Sequence, residues 1–291
     1  MKYYIGCHLS GQNIFSSIDE VNKYGGNIIQ IFVSNPIGRQ TKNIIEKYIE
    51  LGPKIKKYIL EKESKIVIHS PYVLNFAKKF DKKNYIFDII FTELKIANLI
   101  GAIGCVIHVG KYLDLKINEA LQNMYLSIKY IINFIERENL NTFLILETAA
   151  GQGTELLTTE NNTINDLANF YARFTNEDKK IFKICIDTCH IFSAGFDIQT
   201  NKNIKLLFRL IKNLIGIENI ALIHLNNSKT EYDSHKDRHE RIGLGSIKKR
   251  ALKHFVKESL KYNIPLILET PEDGYIKEIP WIIKIINKLY P

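Results

Sequence analysis

The run Thr142-Phe143-Leu144-Ile145-Leu146-Glu147 is apolar almost to its end and closes on a carboxylate. Further on, Phe182-Lys183-Ile184-Cys185-Ile186-Asp187 does the same. Short runs this rich in Ile, Leu and Phe read as strands. Near-continuous apolarity, as opposed to alternation, marks parallel strands covered on both faces. Such runs recur at 3–8, 27–32, 65–69, 104–108, 142–147, 182–187, 220–225 and 264–269. Between them lie longer stretches with helical spacing. In 118–138, Leu121, Met124, Ile128, Ile131, Ile132 and Ile135 fall on one side, and Ile86, Ile90, Leu94 and Ala97 do so in 81–100. Within 44–63 the pair Gly52-Pro53 predicts a broken or kinked helix. Strands alternating with helices make either a closed barrel or a doubly wound open sheet. No Gly-x-Gly-x-x-Gly follows an early strand, which counts against a dinucleotide-binding sheet. The expected fold is therefore α/β, a single (β/α)8 TIM-type barrel spanning 1–291 as one domain, with its site at the C-terminal strand ends.

Composition narrows the function classes. Of 291 residues 45% are hydrophobic, enough for a large core, but Lys, Asn or Glu interrupts every apolar run before it could cross a membrane. The start, Met1-Lys2-Tyr3-Tyr4-Ile5-Gly6, reads as a first strand and not as a signal peptide. Lys and Arg outnumber Asp and Glu by 40 to 31, a net charge of +9 that favours an anionic partner. Cys7, Cys105, Cys185 and Cys189 form no Cys-x-x-Cys pair, so a cysteine zinc cage is not expected. Their apolar flanks fit buried thiols in a reducing intracellular compartment, with cytoplasm, nucleus and virion equally compatible.

Almost every apolar run ends in a residue that can bind a metal: His8, His69, His108, Glu147, Asp187, His224 and Glu269. Taken singly, each has a plainer explanation, because such a histidine is commonly structural and such an acid commonly caps a helix. Seven at one register are different. In a barrel the strand ends ring one mouth, where active sites are built. Two local clusters add to them. Asp187-Thr188-Cys189-His190 offers a carboxylate and an imidazole just past the sixth strand. Asp237-Arg238-His239 offers another pair which an extended segment would point the same way. His235, in a charged loop, and His254, in a helical pattern, read as solvated.

His69, His108, Glu147, Asp187, His190, His224, Asp237, His239 and Glu269 make nine candidate ligands, five imidazoles and four carboxylates. One zinc takes three or four protein ligands, so nine suffice for more than one ion. Carboxylates can bridge neighbouring metals, and neutral imidazoles favour zinc over magnesium. Metals about 3.5–4 Å apart can clamp the oxygens of an in-line phosphoryl displacement. Those parts fit hydrolysis of a phosphodiester, and the basic charge fits a polyanionic substrate.

At this point the residues resemble a known family, endonuclease IV. Leu146-Glu147-Thr148-Ala149-Ala150-Gly151-Gln152-Gly153, Cys185-Ile186-Asp187-Thr188-Cys189-His190 and Asp237-Arg238-His239-Glu240 are similar to its signature stretches. Ile223-His224-Leu225-Asn226 and Leu268-Glu269-Thr270-Pro271 are too, and the likeness runs from the first strand to the last. The resemblance implies a trinuclear-zinc barrel enzyme, with manganese able to substitute in part, that cuts duplex DNA 5′ to abasic sites in base excision repair. It implies a 3′-hydroxyl product, a possible 3′-end-trimming activity and action as a monomer. Glu147 would bridge two ions, the first completed by His69 and His108, the second by Asp187, His224 and Glu269. His190, Asp237 and His239 would hold a third, more exposed ion. Glu147 and Glu269 would be the catalytic carboxylates, Glu269 orienting the attacking hydroxide, with His8 supporting the ligands from behind. Tyr72 and the loop Ser34-Asn35-Pro36-Ile37-Gly38-Arg39-Gln40 match the family's DNA probes, with Asn35, Arg39 and Gln40 as contacts.

The rival enzyme class is a metal-dependent sugar isomerase or epimerase on the same barrel, which needs one or two ions and a base. The surplus ligands His190, Asp237 and His239 count against it. A binding module that had lost its chemistry would have lost a ligand, and a Schiff-base lyase needs a buried lysine.

Overall fold

Eight parallel strands close into a barrel: β1 (Ile5–His8), β2 (Ile28–Ile31), β3 (Lys65–His69), β4 (Gly104–Ile107), β5 (Phe143–Glu147), β6 (Phe182–Asp187), β7 (Ile220–His224) and, after two short strands, β10 (Leu266–Leu268), which pairs back onto β1. The two short strands, β8 (Asn227–Ser228) and β9 (His239–Glu240), form a separate antiparallel ribbon. The structure is a computed structural model and describes residues 3–10, 13–35 and 44–290. The expected closed barrel is the observed one.

The long helices are α1 (Ile14–Lys23), α2 (Ile44–Glu61), α3 (Tyr85–Ile100), α4 (Ile117–Arg137), α8 (Asn201–Leu214), α9 (Lys249–Lys261) and α10 (Tyr275–Leu289). Shorter helices α5 (Asn165–Tyr171), α6 (Asp178–Ile181) and α7 (Thr188–Ser193) flank β6. Asn13, Asn84 and Thr200 cap α1, α3 and α8 by accepting from backbone N–H groups, as short polar side chains do at helix starts. Along α4, Met124, Ile128, Ile131, Ile132 and Ile135 are buried on the face the periodicity predicted. Among the described residues no helix is long and apolar enough to cross a membrane. All four cysteines are buried free thiols.

The expected break at Gly52-Pro53 is not found. Helix α2 runs continuously through Gly52-Pro53. The glycine serves packing: a Cβ at position 52 would lie 2.6 Å from the Leu99 carbonyl oxygen, so α3 could not approach so closely. Pro53 leaves the Ile49 carbonyl without its helical partner, and Ile49 is on the exposed side, where water can replace the lost donor.

The barrel interior positions the site. Ile28, Val67, Val106, Ile145, Cys185, Leu222 and Ile267, one from each of seven strands, form a buried cluster separate from the larger core under the helices. In β1 the matching position is Gly6, where a Cβ would lie 1.6 Å from the Ile28 carbonyl oxygen. Side chains along a strand repeat their direction every second residue. Two positions beyond this layer stand His8, Gln30, His69, His108, Glu147, Asp187, His224 and Glu269, at or just past the C-terminal end of each strand.

Glu93 of α3 is a carboxyl sealed in the core, accepting from Ser34 Oγ at 2.6 Å and from Cys105 Sγ at 3.8 Å. Burial pushes its pKa up to about 8. Because the folded pKa lies above the unfolded one, its contribution is neutral in acid and becomes a penalty as pH rises from the unfolded value, near 4.5, through 8. Glu93→Gln should therefore stabilise the protein by roughly 2–4 kcal/mol above pH 8. The gain should vanish in the acid range. Urea unfolding of both proteins across pH checks this, and a gain independent of pH would contradict it.

Candidate metal centre

Glu147 lies at the centre, fully buried at the end of β5. Its two oxygens face two different groups. Oε2 is 3.3 Å from His69 Nε2 and 3.2 Å from His108 Nε2, while Oε1 is 2.8 Å from His224 Nδ1. Metal-capable atoms of His69, His108 and Glu147 cluster together, and those of Glu147, Asp187, His224 and Glu269 form a second cluster. The third expected set is assembled around Asp237, whose Oδ1 is 3.2 Å from His190 Nε2 and 3.3 Å from His239 Nε2. Asp187 also clusters with His190 and His239, an additional link the sequence did not suggest. The structure thus brings all nine candidate ligands together. The set around Asp237 includes the most open carboxylate of the four, its side chain 35% exposed.

These residues fit divalent ions because of the way each imidazole is held. His69 Nδ1 donates to the Ser70 carbonyl at 2.8 Å, His190 Nδ1 to the Thr148 carbonyl at 2.7 Å, and His239 Nδ1 to the Glu269 carbonyl at 3.1 Å. In His224 the roles reverse: Nε2 donates to Gln30 Oε1 at 2.8 Å. A neutral imidazole has one N–H, so in its neutral form each ring would present a bare lone pair to neighbouring carboxylate oxygens. Lone pair against carboxylate is repulsive unless a cation lies between them. His190 Nε2 shows this most clearly, being buried near Asp237 yet making no aligned hydrogen bond among the described residues. Carbonyl oxygens orienting a histidine from behind are the usual support of a metal ligand.

Electrostatics point the same way. Burial pushes the Glu147 carboxyl up, but His224 and His108 outweigh it and hold Glu147 well below the usual carboxylate range. Burial pushes His190 down, and Asp187 and Asp237 more than reverse it. In the absence of cations, protons on histidine are the charge that such a cluster can recruit.

Two residues that the sequence reading passed over hold the ligands in place. Asn226 is fully buried; its Nδ2 donates to Asp187 Oδ2 at 2.6 Å and to Glu269 Oε2 at 3.2 Å, and its Oδ1 accepts from the Glu269 backbone at 2.7 Å. Gln30, also buried, donates from Nε2 to Glu269 Oε1 at 2.6 Å and accepts from His224. The available signal was a lone amide inside the apolar run Ile28-Ile29-Gln30-Ile31. Asp187 has a second task, capping α7 through the His190 backbone N–H at 2.9 Å, which delivers the His190 ring to the site.

A cavity of about 440 Å³ opens above the cluster, lined in part by His8, Phe32, Tyr72, Arg238 and Glu269. Tyr72 is 54% exposed, its ring 5.3–5.4 Å from those of Phe32, His69 and His108, so it stands on the rim and not in the core. Asn35 is exposed. Arg39 and Gln40 lie outside the described residues. His235 pairs with exposed Asp233 at 3.3 Å and His254 is half-buried on α9, and neither joins a cluster of metal-capable groups among the described residues.

The family described as xylose isomerase-like TIM barrel matches residues 18–285. A Clostridium beijerinckii protein called probable endonuclease 4 is 33% identical over 293 residues, covering 98% of this chain and 98% of its own. Endonuclease IV from Thermus thermophilus superposes with a TM-score of 0.71 at 20% identity, over 98% of this chain and 99% of that one. A D-tagatose 3-epimerase-like protein gives 0.69 at 17% identity, over 99% and 100%. At these identities the two structures share the fold alone, and the fold does not choose between their chemistries.

Gln30→Leu should keep the barrel but release the His224 ring and Glu269. Loss of such a supporting hydrogen bond costs about 10–100-fold in metal affinity. Competition with a coloured chelator reads this directly, and unchanged affinity would remove Gln30 from the ligand support.

Proposed function

This chain belongs to the endonuclease IV family, and we propose that it is a zinc-dependent endonuclease of base excision repair, hydrolysing the phosphodiester 5′ to abasic sites in duplex DNA and leaving a 3′-hydroxyl. The observation that carries this reading is the third ligand set. His190 Nε2 and His239 Nε2 lie 3.2 and 3.3 Å from Asp237 Oδ1, beside two other sets. A sugar isomerase on this barrel needs one or two ions and has no use for it. Among the described residues the cavity lining holds no lysine, so a Schiff-base lyase lacks its nucleophile there.

In this reading His69, His108 and Glu147 hold one ion, Glu147, Asp187, His224 and Glu269 a second, and His190, Asp237 and His239 a third. Bare imidazole nitrogens among carboxylates suit zinc, with manganese a partial substitute. Such ions, when bound, lower the pKa of water to roughly 7 and draw charge from phosphoryl oxygens. The chain supplies the rest. Glu147 is shared between neighbouring sets through its two oxygens, fixing their separation. Glu269, steadied by Gln30 and Asn226, borders the cavity and orients the attacking oxygen. Glu147, Asp187 and His224 are buried at the floor, and the net charge of +9 favours the approach of a polyanion.

Lesion recognition falls to the rim. Tyr72 overhangs the site with half its surface free, and Asn35, Arg39 and Gln40 belong to the neighbouring loop in sequence. Flipping a nucleotide out of the stack costs least where the base is missing, and a wedge that fills the gap lowers the cost further.

Three results are expected. Protein purified without chelator should carry about three zinc ions per chain and cut an abasic duplex, with activity lost on chelation; full activity with one ion or none would end the trinuclear reading. Glu269→Gln should bind the duplex yet lose about a hundredfold or more in turnover, whereas near-normal cleavage would exclude Glu269 from the chemistry. Tyr72→Ala should weaken binding to abasic duplex more than to intact duplex, whereas an equal loss on both marks a plain backbone contact.

A further inference from the structure

The first part of α9, with the residue before it, reads Lys248-Lys249-Arg250-Ala251-Leu252-Lys253-His254-Phe255-Val256-Lys257 and carries five Lys and Arg before any acid. The first acid, Glu258, is taken by Lys261 at 2.7 Å. Lys249 and Lys253 stand at i and i+4, as do Lys253 and Lys257, a spacing at which like charges repel. None of the five makes an ion pair among the described residues, and Lys249 lies over the Trp281 ring, 5.4 Å from its centroid. Burial, then Arg250, Lys257 and Lys253, push His254 below its ordinary pKa, as a positive neighbourhood does. Hollows open on both sides of this ridge. One of about 310 Å³ lies between Lys248, Arg250, His254 and the start of α8 at Gln199, Thr200 and Asn201. The other, about 260 Å³, is lined in part by Lys249, Trp281 and Lys277, with Arg241 already paired to Asp273 at 2.7 Å.

Place separates this ridge from an ordinary solvated face. Helices α8, α9 and α10 start after the C-terminal ends of β6, β7 and β10, so their first turns stand on the mouth side, with the metal centre. Asn227, fully buried, accepts from the Ile247 backbone at 2.8 Å and donates to the Ile247 carbonyl at 3.1 Å. The Ser246 backbone donates to the Ser228 carbonyl at 2.7 Å. The cations therefore follow directly on a backbone tied to the ribbon that carries His239. We propose that Lys248, Lys249 and Arg250 form a second contact surface for DNA, taking backbone phosphates of the duplex that flanks the cut site. This rests on the endonuclease reading of the metal centre. The phosphate rows of a duplex continue past the cut position, and exposed cations beside the mouth can meet them without reading any base.

Two triple variants test this. One combines Lys248→Gln, Lys249→Gln and Arg250→Gln. The other combines Lys212→Gln, Lys284→Gln and Lys288→Gln, removing the same charge from exposed positions further along α8 and α10, towards the opposite end of the barrel. The probes are an undamaged duplex and a nicked duplex bearing a 5′-deoxyribose phosphate, neither of which offers a bond to cut. Each is titrated over a range of salt against metal-loaded protein whose metal content and thermal midpoint are measured first. A lost phosphate contact lowers the slope of log affinity against log salt by about 0.9. The first triple variant should lose about 2–3 from that slope on both duplexes, and the second less than about 1. An unchanged slope in the first, an equal fall in the second, or a fall on the nicked duplex alone would overturn the proposal. Should the first triple variant lose fold or metal, its three single variants decide, each expected to lower the slope by about 1; no fall in any of them overturns it. Cleavage of an abasic duplex by wild type is scored separately. Wild type that binds both probes but never cuts would overturn the endonuclease reading and leave the contrast between the variants to decide the ridge. Wild type that binds neither probe overturns both.

Discussion

Glu147, Asp187, Asp237 and Glu269 crowd four carboxylates onto the floor of one cavity, three of them buried or nearly so. Like charges so close, away from water, repel strongly, because the interior screens them far less than solvent does. Everything around the floor answers that repulsion. Asn226 and Gln30 point amide hydrogens at Asp187 and Glu269, and five imidazoles turn nitrogen towards the remaining oxygens. Amides alone do not supply charge. Only protons on the rings or cations among them can, and backbone carbonyls hold three of the rings in the tautomer that suits cations.

The barrel makes such crowding possible by geometry, with no special loop required for most of it. An aliphatic layer fills the interior, and two residues further along each strand comes a polar group at the mouth. Register fixes their level: His8 pairs with Gln30 and Asp187 with His224 across neighbouring strands. A slip of one residue in any strand would turn its ligand into the helical layer. Gly6 shows how little room the arrangement leaves, since β2 backbone occupies the space of its Cβ.

That same period explains what was readable in the sequence. Strands covered on both faces are uniformly apolar, so a histidine or acid at their end stands out, and the ligands of the first two sets could be found by position alone. Gln30 holds the equivalent place in β2, but Ile31 follows it inside the strand and a glutamine is no metal ligand, so a lone amide in an apolar run was its only mark and the hydrogen bonds supplied its role. Asn226 was hidden for a different reason: it acts through the fold, reaching residues 39 and 43 positions away. Gly52-Pro53 misled on the break because local propensity signals one, whereas the helix runs on and the glycine gives room for the close approach of Leu99. No local pattern could have shown that partner.

The third set departs from the strand-end rule, and this is where function separates from fold. His190 comes from α7, Asp237 from the excursion between β8 and β9, and His239 from β9 itself. A barrel with strand-end ligands alone can hold the first two sets, which is the equipment that sugar chemistry on this fold requires. The excursion is tied down at several points. Ser228 pairs with His239, the Lys229 backbone donates to Arg238, the Asp237 backbone donates to Gln152, and the His239 ring reaches the Glu269 carbonyl. Asp187 links both worlds, clustering with the second set while capping the helix that carries His190. His190 of the third set is therefore positioned by the same carboxylate that serves the second, which couples that ligand to its neighbours. A substrate that must be gripped at an attacked oxygen and a departing one at fixed spacing needs that coupling, and a small sugar does not.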